Sequence, residues 1–159
     1  MTNIDISTII ETVWEKFRDR LYSEVTSVTI DDKGIPDSKT ITIQSYTSTF
    51  PNTLLDKKSK YPILVVETPK ITTEYHTMKK DKIPGTITVT IYTPNAPSAD
   101  KFMSKIFSAI ETYKHELNSS GIEGVKLIDS DSDSAQREGF IAHTRTLIFS
   151  FESHFNKTW

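Results

Sequence analysis

The hydrophobic pattern changes from the period of a strand to that of a helix within Ile83–Leu117, and this change constrains the fold more than any other feature. In Thr86–Thr93, threonine alternates with apolar residues. Ile87, Val89 and Ile91 therefore share one face, which is typical of a strand with one buried side.

A turn and a long helix follow this strand. Pro94 and Pro97 are expected to end the strand, and Ser98 is the predicted N-cap of the helix. The next apolar residues recur at spacings of three and four: Phe102, Ile106, Ala109, Ile110, Tyr113 and Leu117. Because the charged side chains lie mainly on the other side, the pattern predicts an amphipathic helix roughly 30 Å long that packs against the strand.

The composition indicates a single globular domain over residues 1–159. A net charge of −2 argues against a dedicated nucleic-acid binder, and two basic groups, Lys57–Lys60 and Lys79–Lys82, are interpreted as solvated loops. The absence of cysteine excludes disulfides, thiolate metal sites and cysteine nucleophiles. No secretory signal is visible and no apolar run approaches the roughly 20 residues that span a bilayer, so we expect folding in a cytosol.

The N-terminal part of the chain predicts a helix and a hairpin. The helix spans Ser7–Tyr22, with Trp14 at the edge of its apolar stripe, where it faces the core or a neighbouring subunit. Alternating runs at Glu24–Ile30 and Lys39–Tyr46 are separated by turn residues and predict a β-hairpin over residues 24–46. Such a hairpin covers the core or reaches out to a partner.

Two further segments separate this hairpin from the strand and helix of Ile83–Leu117. The nearly continuous apolar run Tyr61–Glu67 is typical of a central strand buried on both faces. The polar segment Lys70–Pro84 predicts a long loop.

After the long helix, Gly121 is the predicted C-cap, Gly124–Asp129 a short strand and Gly139–Phe155 a long one. Between the strands lies the repeat Asp129–Ser134, whose alternating aspartates resemble the start of a calcium loop. Its sixth position is Ser134 where glycine is needed, and its twelfth is Phe140 where glutamate is needed. We therefore expect a solvated, self-repelling loop here and no metal site.

The sequence contains no motif that indicates an enzyme. The four histidines, His76, His115, His143 and His154, show no spacing typical of metal ligands, and no phosphate-binding glycine motif or nucleophile elbow is present. No catalytic, cofactor-binding or metal-ligating residue is predicted. One alternative from this class stays open: a small hydrolase or ligand-binding domain that uses His143 or His76 with nearby carboxylates.

Together these elements predict an α+β fold. A central, mostly antiparallel sheet is expected to carry the N-terminal helix and the long helix on one face, with the 24–46 hairpin as an addition.

The order of the elements resembles the tail terminator, or tail completion, proteins of long-tailed bacteriophages. The resemblance is carried by the N-terminal helix, the strand at Tyr61–Val66 and the sequence "Tyr-Thr-Pro…Ser-Ala-Asp" before the long helix. It is also carried by the acidic Asp/Ser loop that follows this helix, Arg137–Phe140 and the closing strand "His-Thr-Arg-Thr-Leu-Ile-Phe-Ser-Phe". It covers Ile4–Phe155 without the hairpin, which resembles an insertion.

This resemblance implies a structural protein of the virion, assembled in the host cytoplasm. It implies a homo-oligomeric ring, commonly a hexamer, at the head–tail junction, where the ring caps the head-proximal end of the tail tube and stops its polymerisation. Expected partners are the tail tube protein and a neck or connector protein, with DNA passing through the lumen and no sequence-specific binding of nucleic acid. Another ring protein of the connector, such as a neck or stopper protein, is the alternative within this class.

Overall fold

The computed structural model describes residues 6–30, 39–48, 61–71, 82–94, 96–137 and 140–154. The elements found there are, in chain order, α1 (Ile6–Glu24), β1 (Ser27–Ile30), β2 (Lys39–Thr42), β3 (Ser45–Thr47), β4 (Ile63–Val66), β5 (Lys70–Ile71), β6 (Lys82–Thr93), α2 (Ala96–Ser119), β7 (Ile122–Arg137) and β8 (Phe140–His154).

The main sheet has the strand order β3-β4-β6-β8-β7, and the short β5 also pairs with β6. Only the β3–β4 pair is parallel among these strand pairs. β1 and β2 form a separate antiparallel pair. The fold is therefore α+β with a mostly antiparallel sheet, as the sequence predicts.

The strand and helix predicted within Ile83–Leu117 are confirmed. In β6, Ile87, Val89 and Ile91 are fully buried on one face. All four residues of β4 are buried as well, because this strand lies between β3 and β6 and both of its faces are covered.

One face of the sheet carries both helices. The main core cluster joins apolar side chains of α1, α2 and the facing strands: Val13, Phe17, Leu21, Leu64, Val66, Ile87, Val89, Ile91, Phe102, Ile106, Ala109, Ile110, Leu117, Leu147, Phe149 and Phe151. The Phe17 ring centroid lies 6.4 Å from that of Phe149 and 6.2 Å from that of Phe151. Burial of each such side chain contributes about 1.5–3 kcal/mol, so this face holds the fold together.

The opposite face is rich in threonine. Thr86 and Thr88 of β6 and Thr144 and Thr146 of β8 are half-buried there, and Thr90 is buried. A small second cluster lies beside them, formed by Tyr61, Ile63, Val65 and Ala142. This face therefore has an apolar end and an uncharged polar centre.

The long helix begins earlier than predicted. It starts at Ala96, so Pro97 lies in its first turn, where the missing N–H group removes no helical hydrogen bond. Ser98 is not the N-cap. It lies within the helix, is buried, and its hydroxyl is 2.8 Å from Thr93 Oγ1. The predicted C-cap has the required conformation, since Gly121 has φ 90°.

The second predicted strand of the hairpin is divided. Lys39–Thr42 pairs with β1, but Ser45–Thr47 joins the main sheet beside β4. The chain changes partners between them, where Ile43 N–H donates to Thr26 O and Gln44 N–H donates to Pro62 O. The prediction of one continuous run to Tyr46 was therefore wrong, although the hairpin itself is present.

Two predicted boundaries also shift. Glu24 ends α1 and does not begin a strand. The two ends of the predicted loop Lys70–Pro84 are strands, since β5 begins at Lys70 and β6 begins at Lys82. β5 pairs with β6, the next strand in the chain, and β6 pairs with the distant β8 from Lys82 onward, so these pairings form strands where a loop was predicted. Residues 72–81 lie outside the described residues.

Candidate interaction surface

The repeat Asp129–Ser134 is a strand and not a loop. It lies inside the 16-residue β7 and pairs residue by residue with β8, from Asp129 opposite Ile148 to Ser134 opposite His143. The predicted short strand Gly124–Asp129 is correspondingly too short. Asp and Ser alternate with the period of a strand, but a segment without apolar residues does not by itself indicate a strand. Pairing with the long, partly apolar β8 stabilises it as one.

The three aspartates form a row on one face of β7. Asp129, Asp131 and Asp133 lie opposite Ile148, Thr146 and Thr144, the β8 residues that face away from the helices. All three are exposed, and Asp131 and Asp133 each accept a 2.8 Å hydrogen bond from the following backbone N–H.

These carboxylates have no partner of opposite charge in the described part of the chain, where the ion pairs involve other residues. Among the same residues, no group of three or more His, Cys, Asp or Glu side chains is placed to hold a metal ion. The row is thus a negatively charged strip on the outermost strand of the described sheet.

A β-bulge in β7 places an apolar side chain in solvent. Leu127 pairs with Phe149 and Asp129 pairs with Ile148, which leaves Ile128 without a partner in the ladder. Bulges of this kind redirect side chains at sheet edges. Ile128 is 49% exposed as a result.

The neighbouring surface of α2 is also apolar. Phe107 lies off the buried stripe of this helix and is 38% exposed. Between α2 and β7 runs a groove with a volume of about 270 Å³, lined by Met103, Ser104, Phe107, Leu127, Ser130 and Leu147. We call it the α2–β7 groove. Among the side chains whose burial the structure describes, Phe107 and Ile128 are the large apolar ones that are exposed, and both belong to this edge of the domain.

The sequence gives one indication of this surface, which the prediction of the buried helix face left out. At about 100° per residue, Phe107 projects to the side of the stripe that Phe102, Ile106 and Ile110 form, and not from its centre. Ile128 has no comparable signal, because the bulge that exposes it depends on the register with β8 and not on local sequence.

The histidines do not form a catalytic group within the described residues. His143 is half-buried in β8, with a parity that directs it to the helix side, whereas the aspartate row faces the opposite side. His115 is exposed on α2. His76 lies outside the described residues, so the alternative that uses His76 is not described by the structure.

Trp14 contacts the domain itself. Its indole Nε1–H donates a 2.9 Å hydrogen bond to Val66 O at the end of β4, and the Arg18 guanidinium lies 4.5 Å from the ring centroid. The half-buried ring thus joins α1 to the sheet.

A polar cluster joins the two helices. Tyr113 Oη donates a 2.7 Å hydrogen bond to Glu24 Oε1, and the Arg20 guanidinium lies 4.4 Å above the Tyr113 ring while it pairs with Glu116. The hydrogen bond to Glu24 and, less strongly, burial raise the pKa of Tyr113 above its ordinary value. Burial also raises the pKa of Tyr22. The contacts of Tyr113 with Glu24 and Arg20 join α2 to the end of α1.

Two lysines of α2 cover β1 of the hairpin. Lys101 Nζ donates to Thr29 O at 2.6 Å, and Lys105 Nζ donates to Ser27 O at 2.8 Å. Val28 and Ile43 of the same region belong to the main core. The hairpin therefore covers the core, and its first strand, β1, is held to α2 by these two hydrogen bonds.

No protein-family model matches the chain, and no curated protein matches its sequence. No helix in the described ranges is long and apolar enough to cross a membrane.

Proposed function

We propose that this protein is a non-enzymatic structural protein of a tailed bacteriophage: a tail terminator that forms a ring, caps the head-proximal end of the tail tube and joins tail to head. The proposal rests on the resemblance of the element order, and it makes a definite demand on the structure. A ring subunit needs two different surfaces that meet head to tail, and the rotation between them must close.

The α2–β7 groove is the observation that carries the proposal. Exposed apolar side chains beside an apolar groove are features of protein interaction sites. Here the exposed large apolar side chains of the described residues, Phe107 and Ile128, lie at one edge of the sheet. β7 is also the terminal strand there, with β8 as its partner on the inner side. A surface with these properties suits a protein whose function is assembly.

The described residues also support an assembly role over a catalytic one. The half-buried His143 and the aspartate row of β7 face opposite sides of the sheet, so they do not converge on a common site. Ring formation needs no such convergence, because an interface depends on buried apolar contacts and shape.

The solution mass of the purified chain tests this proposal. Light scattering behind a sizing column, across a range of concentrations, is expected to show a species of ring size, which for six copies of the 18.1 kDa chain is about 109 kDa. If the ring forms only on the tail tube, the same measurement with added tube protein from the same virus will detect it. A chain that stays monomeric in both experiments would refute the proposal, and a ring that binds only the neck would favour a neck or stopper protein.

A further inference from the structure

The α2–β7 groove has apolar walls, and a row of carboxylates lies on the other face of the same strand, β7. Phe107 and Leu127 line the groove, and Ile128 follows directly in β7. The row of Asp129, Asp131 and Asp133 then continues along the same strand. The row faces away from the helices, but β7 is the outermost strand, so an occupant that passes over its edge reaches both groups. An occupant complementary to this surface has apolar side chains followed closely by basic ones.

The chain itself contains a segment of this composition. Leu54–Lys60 reads Leu-Leu-Asp-Lys-Lys-Ser-Lys, with two aliphatic residues followed by three lysines. The other basic group, Lys79–Lys82, is preceded by a single apolar residue, Met78, and is interrupted by Asp81. The first segment is therefore the better match in apolarity and in charge.

The attachment points of this segment lie at the opposite edge of the sheet. It connects Ser48, just after β3, to Tyr61, just before β4, whereas the groove lies beside β7. From either attachment point, the six intervening peptide units carry Leu54 or Leu55 at most about 22 Å.

β3 and β7 are separated by four strand spacings of about 4.8 Å, or about 19 Å in a straight line through the sheet. The groove lies on the helix side, so a path around α1 and α2 is longer than this line. Chain length thus favours a groove on another molecule.

We propose that the α2–β7 groove of one copy receives the Leu54–Lys60 segment of a neighbouring copy. The inference rests on the proposed ring. Opposite edges of one sheet then meet head to tail, Leu54 and Leu55 enter the apolar groove, and the lysines that follow cross the edge of β7 and lie along the aspartate row.

Substitutions on the two sides of this contact test it in the full chain. Phe107→Gln with Ile128→Thr removes one apolar side chain of the groove and the exposed one beside it, while it keeps good helix and strand formers. Leu54→Ser with Leu55→Ser does the same for the segment. Each pair is expected to weaken assembly about thirtyfold, measured as the concentration at which rings dissociate in light scattering. An unchanged melting temperature of the monomer shows that the fold is retained.

Charge reversal tests the direction of the contact. Lys57→Glu with Lys58→Glu is expected to weaken assembly, as is Asp129→Lys with Asp131→Lys, and the four changes together are expected to restore it. Lys79→Glu with Lys80→Glu is the matched control, with wild-type assembly expected.

The results separate the two proposals. If the wild type forms rings and the groove variants assemble equally well, this inference is overturned while the proposed ring is retained. The inference also fails if the control pair weakens assembly as much as the Lys57 and Lys58 pair, or if groove variants form rings but no longer bind tube protein. A wild-type chain that forms no ring, alone or with tube protein, would overturn both proposals.

Discussion

Gly85 lies where β6 passes between two neighbours, and its replacement by alanine should destabilise the domain. A Cβ atom at this position would lie 2.7 Å from Lys70 O, 2.7 Å from Phe151 Cζ and 3.1 Å from Ile71 Cδ1. Real Cβ atoms do not approach neighbours closer than about 3 Å, and two of these neighbours have little freedom to move. Lys70 O belongs to the β5 backbone, and the Phe151 ring is 2% exposed within the core.

The magnitude follows from two opposing effects. Overpacking of a rigid site costs about 1–3 kcal/mol, whereas replacement of glycine in a strand ordinarily stabilises by about 0.5–1 kcal/mol. Because a backbone oxygen and a buried ring both have to shift, we expect the upper part of this range, a net loss of about 2 kcal/mol. For a chain of this size, this corresponds to a fall of about 4–8 °C in Tm.

Urea unfolding followed by circular dichroism measures this loss. Gly124→Ala is an informative control, since Gly124 has φ 62° and an added Cβ meets nothing within 4 Å. That variant should lose about 1 kcal/mol through backbone strain alone, and Gly124→Asn should lose less. If Gly85→Ala were as stable as the wild type, the close packing of β5, β6 and Phe151 would be incorrect.

Three further predictions concern the contacts of the two helices. Trp14→Phe removes the donor to Val66 O and should cost about 1 kcal/mol in urea unfolding; an unchanged stability would contradict a hydrogen bond there. Lys105→Met removes the donor to Ser27 O and should increase amide exchange in β1 but not in β6, whereas equal exchange in the variant and the wild type would contradict that contact. The hydrogen bond from Tyr113 to Glu24 raises the pKa of Tyr113. The contribution of this bond to folding stability is therefore complete below pH 10, and it is lost as the pH rises through the raised pKa. The stability difference between wild type and Tyr113→Phe should therefore stay constant up to about pH 10 and shrink as the pH rises further, and a difference that does not shrink there would argue against the bond to Glu24.

The parts of the fold that the sequence predicts well are those with local causes. The alternation around Ile87 and the stripe through Phe102 and Ile106 each specify one element and the face that it buries. The conformation of Gly121 is also a local matter, because the helix end requires a positive φ.

The parts that sequence reasoning missed depend on distant partners. The strand at Asp129–Ser134 depends on pairing with β8, and the change of partner at Gln44 depends on Pro62, which is distant in the chain. Ser98 has the composition of an N-cap, but burial against Thr93 gives it another role. The surface around the α2–β7 groove has both a local and a distant cause. The helical pattern of the sequence places Phe107 outside the buried stripe of α2, whereas Ile128 is exposed because of the register between β7 and β8.

The length of tail tubes grown in the presence of the purified chain tests the central proposal most directly. Tube protein from the same virus is allowed to polymerise with and without this chain, and tube lengths are measured by electron microscopy. A terminator is expected to leave short tubes, each with one ring at one end, in proportion to the amount added. Tubes of unchanged length with no ring at either end would contradict the proposed function.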